Sequence, residues 1–122
     1  MADTIRLIIP AGEGYREVAS LVLGGVGTRA DLSFERMDDL QLAVLSLLDA
    51  TEGSDVTVEV SVDDSYVSAS VGPLREDVDD DAGLERVVGR LADSYEVRRV
   101  DGRYLAIVTL DRSRARPDVT TA

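Results

Sequence analysis

Residues 56 to 71 read VTVEVSVDDSYVSASV, and this stretch decides the fold class. From 56 to 62, four valines alternate with polar or charged residues, which is the pattern of a strand buried on one face. Turn-forming residues follow at 63 to 65, and residues 66 to 71 return as a second strand. We therefore expect a strand pair whose valine face lies against a layer of helices.

The segment before this pair predicts a helix. Residues 37 to 50 read MDDLQLAVLSLLDA, Ser33 is a suitable N-cap, and the helix should run to about Ala50. From Leu40 to Leu48 almost every side chain is apolar, and a helix that is apolar all round is normally buried. We expect three of its leucines to be largely buried, namely Leu42, Leu45 and Leu48.

The rest of the chain supplies three more strands and two more helices. Residues 4 to 10 are typical of an edge or near-edge strand, and a first helix should run from Tyr15 to about Val26. A third helix is expected from about Gly83 to Ser94. The Asp-Gly pair at 101 and 102 lies between two alternating runs and predicts a hairpin.

The element order is therefore strand, helix, helix, strand, strand, helix, strand, strand. This order favours the α/β class and a two-layer sandwich, in which three helices cover one face of a mixed, mostly antiparallel sheet. We expect a single domain over residues 1 to 111 and a flexible C-terminal tail over residues 112 to 122.

The composition excludes several kinds of chemistry. The chain has no Cys, His or Trp, and all 13 of its basic residues are Arg. Serine-histidine triads, cysteine nucleophiles, Cys/His zinc sites and catalytic or phosphate-binding lysines are therefore excluded. A net charge of −11 argues against nucleic acid or an anionic membrane as a partner. No apolar run is long enough for a membrane span, and a cytoplasmic location is expected.

Two segments of the chain resemble a known family. Residues 5 to 15, IRLIIPAGEGY, and residues 21 to 44, LVLGGVGTRADLSFERMDDLQLAV, are similar to the first half of the bacterial anti-sigma-factor serine kinases of the RsbW type. Those kinases belong to the GHKL (Bergerat) ATPase superfamily. Residues 83 to 110, GLERVVGRLADSYEVRRVDGRYLAIVTL, resemble the family's last helix and closing hairpin. The resemblance implies the GHKL fold with a shortened lid.

The resemblance also implies where a nucleotide site would lie. The family binds ATP between its helices and its sheet, and its second helix supplies a Glu that activates the nucleophile and, four residues later, an Asn that holds Mg²⁺. In this chain those positions are Ser46 and Ala50. A shift by one residue offers Asp49 for the Asn but leaves Leu45 for the Glu. We therefore expect a degenerate site, with no catalytic residue and no ATP or Mg²⁺ as cofactor.

Two further nucleotide motifs of the family are reduced. The Asp that reads the adenine amino group is missing from Ser70 to Pro73, and the glycine-rich turn before the last helix keeps only Gly83. The acidic residues of the lid, between 76 and 81, would repel phosphates.

Structural roles are expected for the remaining polar residues of this region. Ser46 should hydrogen-bond to the preceding helical turn, and Asp38 and Asp39 should favour the N-terminal half of their helix through its dipole. Residues 77 to 83, DVDDDAG, lack the Gly and the final carboxylate that a calcium loop needs. We expect a solvated acidic loop and no metal site, with weak binding of a divalent cation as the alternative.

The family's first helix and the segment after it face protein partners. The resemblance therefore implies a contact surface at Tyr15, Arg16, Ser20 and Arg29, with an ordinary exposed helix face as the alternative. Arginines around the last hairpin could steer a partner or protect a sheet edge from aggregation, and the sequence leaves this open. They are Arg98, Arg99 and Arg103, followed in the tail by Arg112, Arg114 and Arg116.

These observations favour a non-catalytic, anti-sigma-factor-like regulator that acts by contact with a protein such as a sigma factor or a STAS-domain antagonist. One alternative is an active ATP-dependent serine kinase of the anti-sigma type. Another is a structural or dimerising subunit, either a homodimer or the partner of an intact GHKL homologue.

Overall fold

The computed structural model describes residues 3–10, 14–53 and 55–112. The order of elements agrees with the prediction, with one short 3-10 helix added before the last α-helix. The elements are β1 (Asp3–Pro10), α1 (Tyr15–Arg29), α2 (Phe34–Leu48), β2 (Asp55–Val62), β3 (Tyr66–Leu74), the 3-10 helix (Val78–Asp80), α3 (Ala82–Leu91), β4 (Ser94–Val100) and β5 (Arg103–Asp111). No helix in these ranges is long and apolar enough to cross a membrane.

The five strands form one sheet in the order β1-β2-β3-β5-β4. Each pair of neighbours is antiparallel, so the expectation of a mixed sheet is wrong. The reason is the position of β5: β4 runs parallel to β3, but β5 lies between them and is antiparallel to both. The predicted edge position of β1 is confirmed.

The core lies between the valine face of the sheet and the helices. Val56, Val58 and Val60 are buried as expected, whereas Val62 is only half-buried. The expectation for α2 is wrong in part, because Leu42 is 44% exposed and Leu45 is half-buried. The buried residues of α2 recur at helical spacing and face the sheet, whereas residue 42 falls on the opposite side of the helix. They are Arg36, Asp39, Leu40, Ala43, Val44, Leu47 and Leu48.

Glycine allows α1 and α2 to approach closely. A Cβ at Gly27 would lie 2.6 Å from Cγ of Met37, which is inside van der Waals contact. The glycines therefore do not end α1 near Val26 as expected, and the helix continues to Arg29. Packing against α2 compensates for their low helix propensity.

Local signals at the ends of elements are largely confirmed. Oγ of Ser33 accepts a hydrogen bond of 3.1 Å from the backbone N–H of Arg36, as an N-cap does. Asp101 and Gly102 have φ angles of 53° and 79°, which fits the predicted two-residue hairpin turn. The predicted tail lies outside the described residues except for Arg112, which donates hydrogen bonds to the carbonyl oxygens of Asp63 and Ala30.

Candidate functional site

An open cavity of about 460 Å³ lies where the resemblance places a nucleotide. The C-terminal end of α2 forms one wall and the first turns of α3 form another. Ser46 and Ala50 line it from α2, and Gly83 and Leu84 line it from α3. Arg75, which follows β3, completes the lining together with acidic residues from both sides.

Ser46 and Ala50, the two positions that the resemblance assigns to catalysis, both make hydrogen bonds that stabilise the fold. Oγ of Ser46 donates a hydrogen bond of 2.8 Å to the carbonyl oxygen of Leu42, so the expected bond to the preceding turn is confirmed. Ala50 is buried, and its carbonyl oxygen accepts a 3.0 Å hydrogen bond from the backbone N–H of Arg75. Neither side chain offers a carboxylate or a carboxamide to the cavity.

Arg75 connects the acidic loop between β3 and α3 with α2. Its Nε lies 3.2 Å from Oδ1 of Asp77, and its Nη2 lies 3.2 Å from Oδ2 of Asp81. Its Nη1 donates a hydrogen bond of 3.4 Å to the carbonyl oxygen of Asp49. The guanidinium thus supplies positive charge among carboxylates at the edge of the cavity. This role of Arg75 was not predicted from the sequence, although the residue directly precedes the acidic run.

The same loop caps α3. Oδ1 of Asp81 accepts a hydrogen bond of 3.0 Å from the backbone N–H of Leu84, so Asp81 serves as the N-cap. The phenol of Tyr95 lies beneath this region, and burial raises its pKa, with further contributions from Glu85, Asp81 and Asp79. No group of three or more acidic side chains within the described ranges is placed to hold a metal ion.

The four predicted contact residues lie along α1 but do not form one patch. Arg16 turns toward α2, where its guanidinium pairs with the carboxylate of Asp49 and donates a 3.4 Å hydrogen bond to the carbonyl oxygen of Leu45. Ser20 is half-buried against α2. Arg29 is exposed and lies roughly 20 Å from Arg16 along the helix axis. Tyr15 begins α1, and its side chain lies outside what the structure describes.

An apolar surface on the outside of the helix layer was not predicted from the sequence. We call it the leucine surface and define it as Leu21 and Leu42, which are 78% and 44% exposed. A hydrogen bond of 3.1 Å from Nε2 of Gln41 to the carbonyl oxygen of Ser20 places the two leucines at the same level of adjacent helices. The signal was present in the sequence, because consecutive apolar residues in α1 cannot all face one side.

A buried ionic network lies at the other end of α2 and was also missed. Arg36 and Asp39 have side chains that are 1% and 0% exposed, and Nη2 of Arg36 lies 2.6 Å from Oδ2 of Asp39. Nη1 of Arg36 lies 3.3 Å from Oδ2 of Asp93, in the segment between α3 and β4. Asp39 was expected to act through the helix dipole, but it is a partner of a buried guanidinium.

Comparison with known proteins adds no assignment, since neither a protein-family model nor a curated protein matches the chain.

Proposed function

We propose that the chain is a degenerate GHKL-type domain that acts as a non-catalytic regulator, binding a protein partner through the leucine surface. The degenerate fold is supported by the element order, by the five-stranded sheet covered on one face, and by the cavity between α2 and α3. The loss of catalysis is supported by Ser46 and Ala50, which stand where the family has its Glu and its Asn. The partners that the resemblance implies are a sigma factor or a STAS-domain antagonist, and these are the proposed partners.

The observation that carries the proposal is the exposure of Leu21. A leucine that is 78% exposed, at the same level as the 44% exposed Leu42 of the adjacent helix, leaves apolar area in water that a partner would cover. Acidic side chains border this surface, including Glu17 on α1 and Asp38 on α2. Because binding surfaces combine an apolar centre with a charged rim, we expect a partner with apolar anchors and basic residues around them.

Direct binding of purified components tests the proposal. Sigma factors and STAS-domain proteins from the same organism would be titrated into the protein by isothermal calorimetry. We expect one of them to bind, and we expect Leu21→Asp and Leu42→Asp each to weaken binding by at least about 30-fold, as loss of an interface anchor does. Both positions are exposed, so the variants should keep their circular dichroism spectrum.

Ile8→Asp is the matched control, because Ile8 is an exposed apolar residue on β1, away from the helix layer. The control should bind as the wild type does. Equal loss in all three variants would show that the contact is not at the leucine surface. Absence of binding to every sigma factor and STAS-domain protein would overturn the choice of partner.

A further inference from the structure

β4 is an edge strand of the sheet formed by the described residues. Its residues Ser94–Val100 pair with β5, and no other described strand lies beside it. An edge strand presents unpaired backbone N–H and C=O groups, which can template pairing with another chain. In the sequence of the strand, SYEVRRV, two residues of opposite charge, Glu96 and Arg98, flank Val97. This arrangement indicates which chain could pair with β4.

The hairpin turn determines which residues of β4 direct their backbone outward. Positive φ at Asp101 and Gly102 identifies a two-residue type I′ turn, whose closing pair, Val100 and Arg103, exchanges two hydrogen bonds. Hydrogen-bonded pairs alternate along an antiparallel ladder. Even-numbered residues of β4 therefore bond to β5. The N–H and C=O groups of Tyr95, Val97 and Arg99 point away from it.

We propose that β4 pairs antiparallel with β4 of a second copy of the chain, about a two-fold axis at Val97. In this register Val97 faces its own copy, and Tyr95 faces Arg99 of the second copy in both directions. These are the three outward-directed residues, so each facing pair exchanges two backbone hydrogen bonds. All seven residues of β4 are covered, and the two five-stranded sheets join into one.

The side chains favour the same register. Glu96 faces Arg98 of the second copy at a position where facing side chains lie closest. Within one chain, Nε of Arg98 already lies 2.9 Å from Oε1 of Glu96. Pairing would therefore create a cluster of four charges with alternating sign. On the helix side of the sheet, Arg99, which lies 5.8 Å from the ring centroid of Tyr104, would also reach the ring of Tyr95.

The charges of Glu96 and Arg98, on the two sides of Val97, have opposite signs. This distinguishes β4 from an edge strand whose charges protect it from pairing with another chain. Charges that protect an edge repel a second copy, because like charges then face one another. On β4 the two-fold axis brings Glu96 against Arg98 instead. A single strand pair covers less area than a standard interface, so we expect a dimer that dissociates on dilution.

Exchanging the charges of Glu96 and Arg98 tests the proposal. Sedimentation equilibrium over a range of protein concentrations measures the dissociation constant of the dimer. Glu96→Arg and Arg98→Glu each place like charges opposite one another and should weaken dimerisation by at least about tenfold. The double variant Glu96→Arg/Arg98→Glu restores opposite charges and should return the dissociation constant to within about threefold of wild type. Arg6→Glu on β1 and Glu52→Arg, an exposed position before β2, carry the same changes in net charge and should not change the dissociation constant.

Amide hydrogen exchange gives a second readout. The amides of Tyr95, Val97 and Arg99 should gain protection as the protein concentration rises, whereas those of Glu96 and Arg98 should be protected by β5 throughout. A wild-type protein that is monomeric at every concentration would overturn the proposal. A dimer unaffected by either single variant, or not restored by the double variant, would overturn it as well. These measurements need no sigma factor or STAS-domain protein, so their outcome is independent of the proposed function.

Discussion

Arg36 is the largest fully buried side chain of the described core, and three elements of the fold meet at it. It lies in the first turn of α2, pairs with Asp39 one turn later, and reaches Asp93 before β4. Asp93 also accepts a hydrogen bond of 2.6 Å from the backbone N–H of Asp111, at the end of β5. The network therefore fixes α2 against the end of the last hairpin. Its contribution to stability is not simply favourable, because removing charges from water is costly.

Removing one partner of this network should be far more damaging than replacing both. Asp39→Leu leaves a buried guanidinium with less compensation, and we expect it to lower the free energy of unfolding by about 3–5 kcal/mol. The double variant Arg36→Met/Asp39→Leu fills the same space with apolar atoms and should recover most of that loss. Urea unfolding of Arg36→Met, Asp39→Leu and the double variant measures the coupling. Equal and additive losses would show that the charges act independently.

Two leucines of α2 differ in burial but lie on the same helix, so their substitution tests how much burial alone contributes to stability. Leu47 is fully buried, and Leu47→Ala should cost about 2–5 kcal/mol of the free energy of unfolding through lost contacts and a cavity. Leu42 lies on the same helix but is 44% exposed, so Leu42→Ala is the matched control and should cost less than about 1 kcal/mol. Thermal and urea unfolding measure both. A similar loss at the two positions would mean that α2 is rotated about its axis.

The turn between β2 and β3 depends on one carboxylate. Oδ1 of Asp63 accepts hydrogen bonds of 2.7 Å from the backbone N–H of Tyr66 and 2.9 Å from that of Ser65. These bonds stabilise the charged form and lower the pKa of Asp63 below its ordinary value of 3.8, with Arg112 adding to the effect. A lowered pKa means that the contribution to stability is complete above the ordinary value and is lost as the pH falls through the value in the folded protein.

The stability difference between wild type and Asp63→Asn should therefore depend on pH. We expect it to be largest above about pH 5 and to shrink as the pH falls below 4, because a protonated Asp63 and the asparagine that replaces it both lack the negative charge that strengthens these bonds. Urea unfolding across this range measures the difference, and NMR titration of the carboxyl measures its pKa directly. Asp64→Asn removes the same charge from the same turn without touching these bonds. The same pH dependence in both variants would contradict the role of Asp63.

At the level of elements, the sequence predicted strands and turns better than helix faces. The alternation in β2 and the Asp-Gly turn at 101 and 102 are local signals, and both are confirmed. The exposure of Leu42 was not predicted, because its neighbours are apolar and only the position of α1 and α3 decides which face of α2 stays in water. The length of α1 was underestimated for the same reason, since the tight contact at Gly27 is made with another helix.

The candidate site, too, could be predicted from the sequence only in part. The missing polar groups at Ser46 and Ala50 were read from the resemblance, and the structure places both residues at the cavity. The sequence did not predict the ionic contacts of the buried and loop arginines. They join Arg75 to Asp77 and Asp81, and Arg36 to Asp93. Contacts of this kind depend on how loops fold back on helices, and no periodic pattern encodes them.

The molecule as a whole should fail to bind nucleotides. Binding in a GHKL-type site needs Mg²⁺ held between phosphate and protein, a buried carboxylate for the adenine, and backbone donors from a glycine-rich turn. At the positions that the resemblance assigns to these groups, Ala50 and the residues around Val71 supply neither of the first two, and Gly83 is the one glycine of the third. A buried hydrogen bond to a charged group contributes about 1.5–3 kcal/mol, so losing several moves a micromolar site to about millimolar or weaker.

We accordingly expect no ATP or ADP binding below about millimolar concentration, and no phosphorylation of a STAS-domain protein. Isothermal titration with ATP and Mg²⁺ measures the first, and transfer of labelled phosphate measures the second. Ser46→Glu/Ala50→Asn should not restore either activity, because the adenine carboxylate is still missing and Arg75 still pairs with Asp77 and Asp81 in the cavity. Micromolar binding by the wild type would mean that the site is functional. A kinase produced by the double variant alone would show that the two helix positions, and not the adenine contact or the loop, were what the site had lost.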